Sequence, residues 1–252
     1  MTTDQVPANV RDRLALALDV PSLDEAVELA ARLRPFFSVV KVGLELFSAE
    51  GPLAVDALMD EGFRVFLDLK LHDIPTTVGR AARRIGALGV SYATVHAAGG
   101  EQMLLAAVEG FEEGWAEAVS SGHPAPVEAP AGILAVTVLT SDREATAELL
   151  GARASLAARA GCVGLVCAAR DLPVVRRRAP GLLTVVPGIR FAESSPHDQA
   201  RAAGPSLAFA AGADLLVIGR TVTGSDAPDL AAQRLVTEVQ AVLERDRDSA
   251  DR

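Results

Sequence analysis

Three charged residues lie within six positions of a segment whose other residues suit a buried β-strand. The segment is FLDLKLHDIPTTV, residues 66–78, and its charged residues are Asp68, Lys70 and Asp73. An isolated ionised group in a low-dielectric interior is costly unless it is paired or used. A lysine beside carboxylates stays charged, and it can stabilise a negative charge that forms next to it. The segment is therefore a candidate catalytic element, and a structural ion pair is the alternative.

Alternation along a strand places Asp68 and Lys70 on one face, two residues apart. The neighbouring leucines point the other way: Leu67, Leu69 and Leu71. We expect the leucine face to pack against helices. The two charged side chains would then point to the other side of the sheet, into the mouth of a barrel if the sheet closes.

Lysine is rare in this chain. Lys41 and Lys70 are the only lysines among 24 basic residues, and both lie in strand-like apolar runs. Arginine is effectively always protonated, whereas lysine can hand over a proton. A snorkelling surface lysine fits these apolar surroundings less well. Both lysines are therefore candidates for chemistry.

Eight apolar, β-branched runs alternate with Ala-, Glu- and Arg-rich helical patterns along the chain. The first helical pattern opens with Ser22 and Glu25 at capping-box spacing. This alternation predicts a single-domain α/β fold, the (β/α)8 or TIM barrel, in preference to a doubly wound sheet. The predicted strands are RLALALDV, VVKVGLELF, VFLDLKL, YATVHA, GILAVTVLT, GLVCAA, LTVVPGI and LLVIGR.

The repeat covers nearly all of residues 1–252, with a predicted core of about 11–244. Two segments fall outside it. Residues 120–130, SSGHPAPVEAP, are predicted to be a flexible linker, and residues 245–252 a disordered tail.

The composition excludes several classes of function. A formal charge of −9 argues against nucleic acid or an anionic membrane as partner, since both select basic surfaces. The start of the chain lacks a signal-peptide pattern, and no apolar run approaches the roughly 18 residues of a membrane helix. Cys162 and Cys167 fit no common zinc or disulfide spacing and are expected to be buried thiols. We expect a soluble, cytoplasmic protein.

Polar residues recur where the predicted strands end, which is where such barrels carry out chemistry. Each one alone has an ordinary explanation as a cap or turn residue, and His96 is expected to be a hydrogen-bonded core histidine. The loops after strands 7 and 8 suit a phosphate group, because Gly219 lets backbone N–H groups approach an anion and Arg220 can hold it. The set is Asp19, Lys41, Asp68, Lys70, Asp73, Thr140, Arg190, Gly219 and Arg220.

From Leu16 to about Pro228 the chain resembles the orotidine 5'-phosphate decarboxylase family, of the bacterial type. The motifs that carry the resemblance are LALDVPS, KVGLELF, FLDLKLHDIPTTV, VHAAGG, AVTVLTS, VPGIR, DQAR and ADLLVIGR, in the family's order. The resemblance implies a homodimer whose two active sites lie at the subunit interface, with no metal and no organic cofactor.

The resemblance also implies roles for individual residues. Asp19 and Lys41 would contact the ribose, Lys70 would be the proton donor, and Asp68 would lie beside the substrate carboxylate. Asp73 would complete the catalytic group from across the interface, together with Thr77. The remaining substrate-binding residues implied are Ile74, Thr140, Pro187, Arg190, Gln199, Gly219 and Arg220.

The implied reaction is the decarboxylation of orotidine 5'-monophosphate to UMP and CO2 in pyrimidine biosynthesis. Three alternatives stay open at this point. One is a magnesium-dependent sugar-phosphate decarboxylase or synthase of the same superfamily, although Lys41 occupies the place of a metal-binding glutamate in those relatives. The second makes Lys70 a Schiff-base lysine. The third is a barrel that only binds a nucleotide.

Overall fold

Eight parallel strands close into one barrel in the order β1 to β8. The computed structural model describes residues 6–122, 131–139, 142, 145–191 and 203–250. The strands are β1 (Leu14–Leu18), β2 (Val39–Gly43), β3 (Arg64–Leu71), β4 (Tyr92–His96), β5 (Gly132–Val136), β6 (Gly164–Val166), β7 (Leu183–Val186) and β8 (Leu215–Ile218). The predicted (β/α)8 barrel is confirmed, and its closure brings all eight strand ends to one rim.

Helices follow the strands around the outside. Within the described residues they are α1 (Ala8–Arg11), α2 (Leu23–Leu33), α3 (Leu44–Glu50), α4 (Pro52–Asp60), α5 (Pro75–Gly86), α6 (Glu101–Ser120), α7 (Ala147–Arg159), α8 (Leu172–Arg178), α9 (Pro205–Ala210), α10 (Arg220–Thr223) and α11 (Pro228–Ala250). The 3-10 turns Ala97–Gly99 and Ala169–Asp171 precede α6 and α8. The Ser22 side chain accepts from the Glu25 N–H at the start of α2, as its spacing predicts.

The apolar residues divide into two layers. A large layer lies between the barrel and the helices, and it contains Leu67, with Leu69 and Leu71 packed against it. A smaller cluster fills the barrel interior and includes Ala15, Ala17, Phe66 and Tyr92. The leucine face of β3 therefore packs outward, as alternation predicts, and Phe66 shares the inner side with Asp68.

Several predicted strands end earlier than their apolar composition suggests. The run VVKVGLELF is strand only as far as Gly43, and α3 starts at Leu44. Leu46 is buried from the helix, so its apolar character serves helix packing instead of a sheet. β5 and β6 likewise stop at Val136 and Val166. Apolar residues alone do not mark the point at which a buried strand becomes a buried helix.

The two predicted irregular segments have different outcomes. Residues 120–122 are the end of α6 and a turn, and residues 123–130 lie outside the described part. The tail prediction was wrong for residues 245–250, because α11 continues to Ala250; residues 251–252 are not described. Extending a long helix by a few polar residues costs little, since its nucleus is already formed.

α5 and α6 pack with their backbones almost touching. A Cβ atom added at Gly110 or Gly114 of α6 would lie well within 3.0 Å of the carbonyl oxygens of Gly79 and Arg83 in α5. A residue larger than glycine has no room at this crossing. Because α5 begins at Pro75, directly after the charged segment of β3, the crossing also fixes the start of that helix relative to the barrel rim.

Replacing Gly114 by alanine tests this packing. Helix propensity alone predicts that alanine stabilises an interior helical position by about 1 kcal/mol. Overpacking predicts the opposite, and we expect Gly114→Ala to lower the free energy of unfolding by about 1–3 kcal/mol in urea titrations. Gly181→Ala is a control for the substitution at an uncrowded position, since Gly181 lies in a turn and nothing lies within 4 Å of its added Cβ. Stabilisation by Gly114→Ala would show that the helices do not meet so closely.

Candidate active site

A cavity opens at the carboxyl ends of the strands, with about 500 Å³ of empty space inside it. One side carries charged residues from β2 and β3, and the other side is apolar and comes from the ends of β5 to β8. The lining residues are Lys41, Phe66, Asp68, Lys70, Val136, Val138, Leu139, Val166, Pro187 and Val217. The structure thus brings Pro187, Asp68 and both lysines to the lining of one cavity.

Four side chains form an alternating chain of opposite charges along the β1–β3 side of this cavity. Lys41 Nζ donates to Asp19 Oδ1 at 2.9 Å and lies 3.8 Å from Asp68 Oδ2. Lys70 Nζ donates to the same Asp68 oxygen at 2.7 Å. The side chains of Lys41 and Asp68 are 10% and 14% exposed, whereas that of Asp19 is 60% exposed. The charges deepest in the site therefore each have a partner of opposite sign, as their burial requires.

Lys70 reaches Asp68 from an unusual backbone conformation. Its φ is +52°, and it is the one described residue other than glycine with a positive φ. A left-handed conformation costs a residue with a side chain about 1–2 kcal/mol. Strand alternation predicts the face on which Lys70 lies but not its positive φ, because alternation holds for an unbroken strand.

Thr94 is a site residue that sequence reasoning missed. It lies on β4, is 1% exposed, and its hydroxyl donates to Asp68 Oδ1 at 2.9 Å and accepts from the Lys70 N–H at 2.8 Å. The available signal was a hydroxyl at an inward-facing position of YATVHA, between Tyr92 and His96.

Gly43 leaves room for the ion pair at the end of β2. A Cβ atom there would lie 2.9 Å from Asp19 Oδ1 and 3.0 Å from Lys41 Nζ. Any larger residue would press on the charged tips of both side chains. The KVG motif therefore needs a glycine because a side chain at this position would not fit beside the ion pair. The backbone itself, with a φ of −95°, would accept any residue.

Asp73 does not join the buried charges within a single chain, contrary to the expectation from its neighbours. Its side chain is exposed, and its Oδ1 accepts from the Ile74 N–H at 2.6 Å. Among the described residues, no basic nitrogen lies within 4.0 Å of its carboxylate. Ile74 is 65% exposed and Thr77 is exposed as well. These three residues form an outward-facing patch at the start of α5, because β3 ends at Leu71 and the chain turns away.

The ends of β7 and β8 carry the predicted anion-binding residues. Arg190 Nη1 donates to Thr221 Oγ1 and to the Ile189 carbonyl, both at 3.1 Å, so Thr221 helps hold this guanidinium. Gly219 precedes α10, which starts at Arg220. A Cβ atom at Gly219 would meet only Ala17 Cβ, at an ordinary 3.7 Å. Thr140 and Gln199 lie outside the described residues.

His96 ends β4 beside the charged group, and its ring lies 5.4 Å from that of His72. Burial lowers the pKa of His96, and the neighbouring His72, Lys70 and Arg153 lower it further, while Asp68 opposes them. His96 is therefore neutral near pH 7. Among the described residues, no group of three or more His, Cys, Asp or Glu side chains could hold a metal ion.

Cys162 and Cys167 are free and buried, as the sequence predicts. Burial raises the pKa of both thiols to about 12. Both side chains are thus uncharged at neutral pH and pack as small apolar groups.

Among the helices of the described residues, none is both long and apolar enough to cross a membrane.

The arrangement suits chemistry in which negative charge appears next to an ammonium group. Lys70 Nζ is 2.7 Å from one carboxylate oxygen, faces the cavity and is partly exposed to it. A fixed ammonium can stabilise an anion that forms beside it and then transfer a proton to it. The apolar wall opposite lowers the local dielectric and strengthens such interactions.

Comparisons with known proteins agree on one family. The model of the orotidine 5'-phosphate decarboxylase / HUMPS family matches residues 12–235. The chain is 45% identical to an orotidine 5'-phosphate decarboxylase of Alkalilimnicola ehrlichii, covering 91% of this chain and 97% of that one. It is 42% identical to one of Moorella thermoacetica, covering 95% and 96%. The crystal structure of orotidine 5'-phosphate decarboxylase from Lactobacillus acidophilus is similar with a TM-score of 0.73 and 30% identity, over 90% of this chain and 99% of that one.

The environment of His96 has a measurable pH effect. Because its pKa in the folded chain lies below the ordinary value of 6.5, the unfolded chain binds the extra proton first as the pH falls. We expect stability to decrease as the pH drops from just above 6.5 towards the folded pKa, and His96→Gln to reduce that decrease. Titration of the imidazole C2–H resonance by NMR, assigned with the same variant, should give a midpoint below 6.5. A midpoint at or above 6.5 would contradict the described surroundings.

Proposed function

The chain belongs to the orotidine 5'-phosphate decarboxylase / HUMPS family, and we propose that it is a carboxy-lyase that converts orotidine 5'-monophosphate to UMP and CO2 in de novo pyrimidine biosynthesis. The observation that carries the proposal is the Asp19–Lys41–Asp68–Lys70 charge chain at the barrel mouth. The named relatives, 42–45% identical over nearly the whole chain, support the same activity.

Lys70 is the proposed proton donor. Breaking the bond between C6 of the pyrimidine and the carboxylate leaves an electron pair in an sp2 orbital of C6, which no carbonyl group of the ring is placed to delocalise. The ammonium of Lys70 stabilises that pair and then transfers a proton to C6, which completes UMP; the resulting amine regains its proton from water. Such stabilisation is effective because the ammonium is already in position before the charge appears.

Asp68 holds the ammonium in place and also opposes the substrate's own carboxylate. A carboxylate bound between Asp68 and the apolar wall meets a like charge on one side and poor solvation on the other. The leaving CO2 is neutral and avoids both penalties. The charge array therefore fits the carbanion better than the bound substrate, which is the condition for lowering the barrier.

The phosphate and pyrimidine are assigned to the other side of the rim. Arg190 and Arg220 offer two guanidinium groups near the start of α10, and such groups bind phosphate through paired N–H donors. Gly219 leaves space above Ala17 for the nucleotide. Thr140, Pro187 and Gln199 complete the proposed pyrimidine and phosphate contacts, and Asp19 with Lys41 would bind the ribose hydroxyls.

A homodimer would account for the outward-facing patch at the start of α5. Asp73, Ile74 and Thr77 are all exposed in the single chain, and an interface at this patch would cover the side chain of Ile74, which is 65% exposed. In the proposed dimer these residues reach into the partner's cavity, where Asp73 would add a second carboxylate beside Lys70.

The magnesium-dependent relatives within the same superfamily are not favoured. The Lys41 ammonium lies 3.8 Å from Asp68 Oδ2 and 2.9 Å from Asp19 Oδ1, so it fills the position that a cation would take beside these carboxylates. A Schiff-base role for Lys70 is also disfavoured, since its Nζ already donates to Asp68 Oδ2 at 2.7 Å and is not free to attack a carbonyl group. The free thiols Cys162 and Cys167 fit the reducing cytoplasm, where we place the enzyme.

The activity can be followed through the loss of the ultraviolet absorption band of orotidine 5'-monophosphate, with and without a chelator. We expect turnover in both conditions for the wild-type chain and a decrease in kcat of about 1,000-fold or more for Lys70→Ala. The dissociation constant of UMP should change little in that variant. Arg159→Ala, which removes an exposed ion pair with Glu101, is the control and should match wild type. Near wild-type CO2 release by Lys70→Ala would exclude the proton-donor role.

Mixed dimers test the role of Asp73. Lys70→Ala and Asp73→Asn should each be nearly inactive alone, and a mixed dimer of the two should contain one site with both wild-type residues. Random reassociation of equal amounts makes half of the dimers mixed, with one intact site in two, so activity should return to about a quarter of wild type. Co-refolding the two variants and assaying the mixture measures this. If Asp73 served its own chain's site, mixing would restore nothing.

A further inference from the structure

β3 and β4 lose their regular register beside the charged residues. Leu67 pairs with Ala93, and the next pair is Leu71 with Val95. Four steps along β3 therefore match only two along β4, so the three residues Asp68 to Lys70 lie opposite Thr94 alone. Such a bulge leaves backbone groups of the longer strand without their usual partners.

The Thr94 hydroxyl takes over part of the missing pairing. It accepts a hydrogen bond from the Lys70 N–H at 2.8 Å and donates its single hydrogen to Asp68 Oδ1 at 2.9 Å. Lys70 Nζ binds the other oxygen of the same carboxylate, Oδ2, at 2.7 Å. One buried side chain therefore contacts both the backbone of Lys70 and the carboxylate that holds the Lys70 ammonium.

We infer that Thr94 is a positioning residue for the proposed decarboxylation, and this inference rests on that proposed function. Its hydroxyl stabilises the left-handed conformation of Lys70 and fixes the rotation of the Asp68 carboxylate. The ammonium is thereby set at one place in the cavity before substrate binds. Thr94 acts through Asp68 and Lys70 and needs no contact with the substrate.

The chemistry of a hydroxyl is what this role requires. It must accept from an N–H and donate to a carboxylate at the same time, and valine, which has nearly the same shape, can do neither. In Thr94→Val the Lys70 N–H would lose its hydrogen-bond acceptor, and water could not easily replace it because Thr94 is buried. Asp68 would keep its hydrogen bond from Lys70 Nζ and lose the one from Thr94. Serine keeps both hydrogen bonds and lacks only a methyl group.

The kinetic test compares Thr94→Val with Thr94→Ser. We expect Thr94→Val to lower kcat by about 10- to 100-fold through misplacement of the ammonium, with the dissociation constant of UMP unchanged, since the proposed phosphate contacts are remote. Thr94→Ser should keep most of the wild-type kcat. If Thr94→Val does not fold, Thr94→Cys replaces it, because a thiol of similar size is a weak donor and acceptor.

A second measurement does not depend on activity. The chain has two lysines, so protein labelled with 15N-lysine gives two lysine amide signals, from Lys41 within β2 and from Lys70. In Thr94→Val the Lys70 amide should shift and exchange its hydrogen faster, while the Lys41 amide should stay unchanged. The serine variant should leave both signals near their wild-type positions.

Each outcome bears on the inference. An unchanged Lys70 amide in Thr94→Val, or a shifted amide with wild-type kcat, would overturn it. Equal losses of kcat in the serine and valine variants would also overturn it, since packing by the methyl group would then be the cause. If the wild-type protein fails to decarboxylate orotidine 5'-monophosphate, the proposed function fails, whereas the amide signals still report whether Thr94 holds Lys70.

Discussion

Two ammonium groups share one carboxylate oxygen at the mouth of this barrel, and the other polar contacts of the site serve that arrangement. Lys70 and Lys41 lie 2.7 Å and 3.8 Å from Asp68 Oδ2. Without Asp68, the two positive charges would face each other across a partly apolar cavity, where their repulsion is weakly screened. Asp19 balances Lys41 from the rim, which leaves the Lys70–Asp68 contact as the pair directed at the cavity.

The barrel keeps these charges in place through constraints on the backbone. Pairing of β1 with β2 and of β2 with β3 in the closed sheet fixes the ends of these strands side by side. Asp19, Lys41 and Asp68 therefore lie next to one another. Gly43 provides the space into which the tips of Asp19 and Lys41 extend. The glycine crossing of α5 and α6 then sets where the chain leaves β3. Glycines at Gly43 and at the α5–α6 crossing therefore help to set the geometry of the site together with its charged residues.

The sequence predicts the architecture well because strand and helix periodicities alternate along nearly the whole chain. It predicts strand ends less well, because buried helices and buried strands contain the same apolar residues. Residues 44–47, LELF, are predicted to be strand but form the start of α3. The shared face of Asp68 and Lys70 follows from alternation, but the bulge that shapes it depends on pairing with β4. Asp73 was grouped with its neighbours in sequence, whereas in the chain it lies past the end of the strand and faces outward. Thr94 is 24 residues away from Lys70, and only the fold brings them together.

The bulge in β3 has a bearing on enzyme design. In an unbroken strand, residues at i and i+2 lie about 6.6 Å apart along the strand axis, and their side chains point to the same face. Grafting an Asp-x-Lys pair onto a regular strand of another scaffold would copy the side chains without the irregular backbone from which Lys70 contacts Asp68 in this barrel. A faithful transplant has to carry the extra backbone length, the positive φ at the lysine and a hydroxyl on the adjoining strand as one unit.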